Sequence, residues 1–156
     1  MVEVFAGRAL VNKEGDLIDP EEALRNKVVG LYFSAGWSPA CRDFIPTLRD
    51  FYTELVEESD PTAQLEIVFI SSDKSTEEMV EYYHDMHGDW LALPWTDPFK
   101  HELKKRYKIS AVPKLVIVKE NGQVITDQGR KQIRDRGLAC FRDWLEVAEI
   151  FQNFKC

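Results

Sequence analysis

Apolar residues fall along this chain in two kinds of run, and the kind changes at regular intervals. Val28–Ser34 (VVGLYFS) and Leu65–Ser71 (LEIVFIS) are continuous apolar and aromatic stretches. They predict strands covered on both faces, because a strand with one wet face alternates apolar and polar residues. A third run, LVIV at 115–118, leads through Glu120-Asn121-Gly122 into 123–125, and Asn-Gly between apolar segments predicts a hairpin. Between these runs the period changes. Phe44, Leu48, Phe51, Tyr52, Leu55 and Val56 recur at helical spacing up to Ser59-Asp60-Pro61, with Pro46 expected to kink the helix or mark a second start. Further helices are predicted over about 76–87, from Asp97-Pro98 to near Tyr107, and over about 138–151, the last with Phe141, Trp144, Leu145, Ala148 and Phe151 on one face. At the amino end, 9–11 and 17–18 bracket turn residues as a short hairpin, and Pro20 opens a short acidic helix.

The predicted order is a hairpin followed by β-α-β-α-α-β-β-α. Strands alternating with helices imply an α/β fold whose central, mostly parallel sheet carries helices on both faces and an antiparallel edge hairpin. A length of 156 residues fits a single domain, 1–156, and 44% hydrophobic residues supply its core. With 20 Lys and Arg against 27 Asp and Glu, the formal charge is -7. That balance argues against nucleic acid or an anionic membrane as the partner, since both are held by neutralising phosphates. The longest stretch without a charge, 28–41, is 14 residues, short of the roughly 18 to 20 that span a bilayer. No basic and apolar leader opens the sequence, so the expectation is a cytoplasmic protein. Three widely spaced cysteines, Cys41, Cys140 and Cys156, suit neither a disulfide framework nor a zinc site, and fit a reducing compartment.

The chemistry concentrates in Ser34-Ala35-Gly36-Trp37-Ser38-Pro39-Ala40-Cys41-Arg42, between a buried strand and a helix, where open α/β sheets place their ligands. This segment resembles the thioredoxin superfamily, in its tryparedoxin and nucleoredoxin branch, whose pattern runs S-A-x-W-C-P-P-C-R-x-F-T-P-x-L. Of twelve specified positions nine agree: Ser34, Ala35, Trp37, Pro39, Cys41, Arg42, Phe44, Pro46 and Leu48. Ser38, Ala40 and Ile45 depart. VFISSDKSTEEM (68–79), WLALPW (90–95) and LKKRYKISAVPKLVIVKENGQVIT (103–126) extend the resemblance over most of the chain. The carboxy-terminal RKQIRDRGLACFRDW and IFQNF are similar to the photoreceptor and sensory-neuron survival factors among the nucleoredoxin-like proteins. The resemblance implies a thioredoxin-like fold and a role in maintaining sensory neurons, with vision and smell as the processes served.

Thiol-disulfide exchange needs a thiolate at the helix start and a second cysteine three residues on to resolve the mixed disulfide. The first position here is Ser38, whose hydroxyl stays protonated near neutral pH and forms no disulfide with Cys41. The dithiol cycle is therefore closed, and no catalytic residue is assigned. Cys41 remains as a residual thiol, expected to be shielded, whereas Cys156 in the tail is expected to be accessible. The resemblance places Pro113 at the cis-proline of the fold, with Val112 offering its backbone to an extended peptide. A protein-binding groove of Trp37, Ser38, Pro39, Val112 and Pro113 follows, without cofactor or metal. The alternative is a monothiol redox protein or an impaired oxidoreductase acting through Cys41.

Position 32 carries a buried carboxylate in thioredoxins and is Tyr32 here, which removes that proton relay. His84 and His87 stand i,i+3 with His101 beyond; without a third ligand at recognisable spacing they read as a solvated helix face. Arg130, Lys131, Arg134 and Arg136, flanked by glycines and interrupted by Asp135, read as a solvated turn, with an acidic partner or phosphate as the alternative.

Overall fold

The computed structural model describes residues 4–59 and 64–148. Seven strands form one sheet in the order β2-β1-β5-β4-β3-β6-β7. They are β1 (Leu10–Val11), β2 (Leu17–Ile18), β3 (Val28–Ser34), β4 (Leu65–Ser71), β5 (Leu91–Ala92), β6 (Lys114–Val118) and β7 (Val124–Thr126). Every residue of β3 is buried, as a continuous apolar run demands of a central strand. Along β3 the side chains alternate between two cores. Val28 and Tyr32 join Phe44, Leu48, Phe69 and Trp144 on one face, while Val29, Leu31 and Phe33 join Phe5, Val68, Ile70 and Leu103 on the other.

Six α-helices are described: α1 (Pro20–Ala23), α2 (Pro39–Tyr52), α3 (Thr76–Met86), α4 (Phe99–Arg106), α5 (Gly129–Arg136) and α6 (Ala139–Ala148). The first core is covered by α2, α3, α5 and α6, the second by α4 and the segment around Phe5 and Leu24. α2 runs unbroken through Pro46 and passes into a π-helical segment, Thr53–Ser59. The sequence break at Asp60-Pro61 and the expected end of the last helix at Phe151 lie outside the described residues, as does Cys156.

Three expectations are corrected. Parallel pairing is confined to β3 with β4 and β4 with β5; the amino-terminal hairpin adds antiparallel pairs beyond β5, and β6 and β7 add them beyond β3, so the sheet is mixed rather than mostly parallel. The strand β5 was missed because two residues show no period. The basic cluster after Thr126 is no turn but the helix α5. Its single wholly apolar side chain, Ile133, is buried, and Gly129 lies so close to β6 that an added Cβ would stand 2.9 Å from the Leu115 carbonyl oxygen.

Candidate functional site

The register of the sheet sets the site. Phe33 pairs with Lys114 across the antiparallel β3 and β6, so Ser34 leaving one strand and Pro113 entering the other lie at the same end of the sheet. The segment from Ala35 to Ser38 turns there into α2, and neighbouring loops fasten it. Gly36 N–H donates to Asp73 Oδ1 at 2.7 Å, and Ser71 Oγ donates to Asp73 Oδ2 at 2.7 Å. Asp73 also accepts the Trp95 indole N–H at its backbone oxygen, at 2.8 Å. Position 36 must be glycine, because a Cβ would come within 2.9 Å of Tyr82 Cβ and Cγ. The Trp37 indole is 54% exposed yet held in place, its Nε1 donating to the Ser72 carbonyl at 2.9 Å.

Ser38 is the N-cap of α2, with Pro39 in the first turn. Its Oγ accepts the Cys41 backbone N–H at 3.3 Å, so the hydroxyl that replaces a thiol is engaged in holding the helix start. Cys41 Sγ points inward, accepts the Ala35 N–H at 3.4 Å and is wholly buried. An electrophile cannot reach it without local opening. The Val112-Pro113 bond is cis. Val112 is half-buried, Pro113 is buried, and the Pro113 carbonyl accepts Arg130 Nη1 at 3.0 Å.

Tyr32 lies wholly in the core, and burial pushes its phenol up to about 12. Among the described residues its hydroxyl has no hydrogen-bond partner in good geometry, and the adjacent Ser34 and Tyr82 hydroxyls bond each other at 2.7 Å. His84 is exposed beside Asp85, but His87 is not on a solvated face as the sequence suggested. It closes α3 inside a cage of Tyr32, Phe69, Tyr82, Tyr83 and Trp90, with Phe69 at 4.2 Å between centroids. His87 Nδ1 accepts the Trp90 indole N–H at 3.1 Å. Burial, with Lys13 and Arg49 adding to it, holds this imidazole well below its ordinary value and therefore neutral. Among the described residues no group of three or more His, Cys, Asp or Glu is placed to hold a metal, and no helix is long and apolar enough to cross a membrane.

One feature of the site was not read from the sequence. A cleft of about 380 Å³ opens beside Trp37, lined by Arg42, Asp73, Glu78, Glu81 and Asp85 among others. Glu78, Glu81 and Asp85 come from one flank of α3, and their i, i+3, i+7 spacing is the signal that marks it, while Asp73 comes from the loop before that helix.

Known proteins share this architecture. A family model described as thioredoxin-like matches residues 26–124. Nucleoredoxin-like protein 1 of Homo sapiens is 35% identical over 164 residues, spanning 99% of this chain and 77% of that protein. The chain belongs to the nucleoredoxin family of thioredoxin-like proteins. Nucleoredoxin of Mus musculus is 36% identical over 132 residues, which cover 84% of this chain and 29% of the longer protein. Among solved structures, a thioredoxin from Wuchereria bancrofti superposes with a TM-score of 0.78 at 37% identity, covering 92% of this chain and 98% of that one. Tryparedoxin II in complex with glutathionylspermidine gives 0.76 at 32% identity, covering 87% and 92%. Within this nucleoredoxin fold Trp37, Ser38 and Pro39 sit at the start of α2, and Val112 and Pro113 at the adjoining end of β6.

Proposed function

We propose that this nucleoredoxin-family protein is a binding module that holds a segment of a protein partner along Trp37, Ser38, Pro39, Val112 and Pro113 without exchanging electrons with it. Ser38 is the observation that carries the reading. A disulfide at this site needs two thiols, and the first position holds a hydroxyl that caps a helix instead. The motif is degenerate as a redox device, while a feature that serves binding stands: a fastened, half-exposed indole. Monothiol chemistry through Cys41 is disfavoured by the burial of its sulfur. Free Cys41 and Cys140 suit the reducing cytoplasm in which we place the protein. Its resemblance to survival factors of photoreceptors and other sensory neurons supports a role in maintaining those cells.

The test is capture of interacting proteins from sensory tissue by the native protein and by folded Val112→Arg, which puts a long charged side chain beside Pro113. Partners retained by the native protein and lost from Val112→Arg are expected. An unchanged set of partners overturns groove binding.

A further inference from the structure

The helix α5 places its cations around a second cleft, beyond anything that the motif at Ser38 requires. Lys114, Arg130, Lys131 and Arg134 line this space of about 140 Å³ together with Asp127 and Gln128. Lys131 is paired with Asp135 at 2.8 Å, but Lys114, Arg130 and Arg134 have no carboxylate partner among the described residues. Asp127, the one carboxylate of the lining, accepts a hydrogen bond from the Gln128 side chain at 3.3 Å. Arg130 is anchored by its bond to the Pro113 carbonyl and by its guanidinium over Phe44 at 5.4 Å. Among the described residues its buried Nε has no acceptor. Arg134 lies over the same ring at 5.6 Å. No side chain caps α5 and no acid occupies its first turn, so the positive end of the helix adds to these charges.

Three unpaired cations gathered over one small cleft in a protein of net charge -7 call for a ligand. A buried donor without an acceptor is costly in a native fold, and an arginine preset by stacking needs little ordering to meet an oxyanion. We propose that Lys114, Arg130, Arg134 and the first turn of α5 form a binding site for a tetrahedral oxyanion of the phosphate class. The ligand is either free phosphate or the phosphoryl group of a phosphorylated side chain; both present the same oxygens to the same donors. The site does not rest on the groove reading, since an anion binds here without any protein partner.

The test is a titration of the full chain with inorganic phosphate at constant ionic strength, followed by backbone amide chemical shifts. A saturable response centred on Gly129, Arg130 and Lys131 is expected. K114E/R134E should weaken it at least tenfold, and the neutral K114Q/R134Q, which keeps folding distinct from charge, should weaken it by a smaller factor. Arg130 is left intact in both because it holds the Pro113 carbonyl. A second arm titrates a short phosphoserine peptide and its unphosphorylated twin. Tighter binding of the phosphopeptide than of phosphate assigns the site to a phosphorylated side chain, and equal binding assigns it to the free anion. A response that does not saturate, or that folded K114Q/R134Q leaves unchanged, overturns the proposal.

Discussion

Ser38 and Cys41 divide the work that two thiols share in a dithiol protein: one caps a helix from outside, the other fills the core from inside. Ser38→Ala removes the acceptor for the Cys41 N–H, and should destabilise the fold by about 1 kcal/mol in urea unfolding. Ser38→Cys should leave the fold intact and form a reducible disulfide with Cys41, seen as the loss of two free thiols after mild oxidation, because i,i+3 at a helix start brings two cysteines within bonding reach. His87 gives a second residue-scale expectation. Its imidazole is neutral in the folded protein, while in the unfolded chain it binds a proton near pH 6.5. The unfolded state thus gains protons first, and the stability contributed by neutral His87 is complete above that value and lost as pH falls below it. Between pH 6.5 and 5.5 the loss should be about 1 kcal/mol. Urea unfolding at the two values checks it, and His87→Phe should flatten the difference.

At the scale of elements, the loop between β3 and α2 depends on Asp73, which stands in another loop. Asp73→Ala leaves the Gly36 N–H and the Ser71 hydroxyl without their acceptor, and should cost about 1 to 3 kcal/mol by urea unfolding. Such ties between distant loops were not legible in the sequence, because nothing in SSDK marks an aspartate as the anchor of residue 36. What was legible followed from period and punctuation. Val28–Ser34 and Leu65–Ser71 announced buried strands by unbroken apolar runs, and Asn121-Gly122 announced the hairpin of β6 and β7. α5 was hidden because GRKQIRDR gives a helix only Ile133 to bury; the contact of Gly129 with Leu115 that seats it is tertiary. His87 misled for the same reason. Its cage draws on β3, β4 and the segment around Trp90, and no local pattern joins them.

For the whole molecule, the core layers around one sheet enclose Cys41 and Cys140. Cys41 is fully buried, and burial pushes the Cys140 thiol up to about 11, so both should resist alkylation in the native protein and label readily in urea. Peptide mass mapping after each treatment reads this directly. The site itself was legible as a motif: Trp37, Ser38 and Pro39 at a strand end and Val112-Pro113 before another, brought to one end of the sheet by the pairing of Phe33 with Lys114. The acidic cleft beside Trp37 and the basic cleft on α5 needed the folded arrangement, since each gathers side chains from separate elements.

Reduction of an insulin disulfide in the presence of a thiol reductant shows whether the site at Ser38 binds without transferring electrons. The native protein should give no turnover above the reductant alone. Turnover comparable to that of a dithiol thioredoxin would contradict the account.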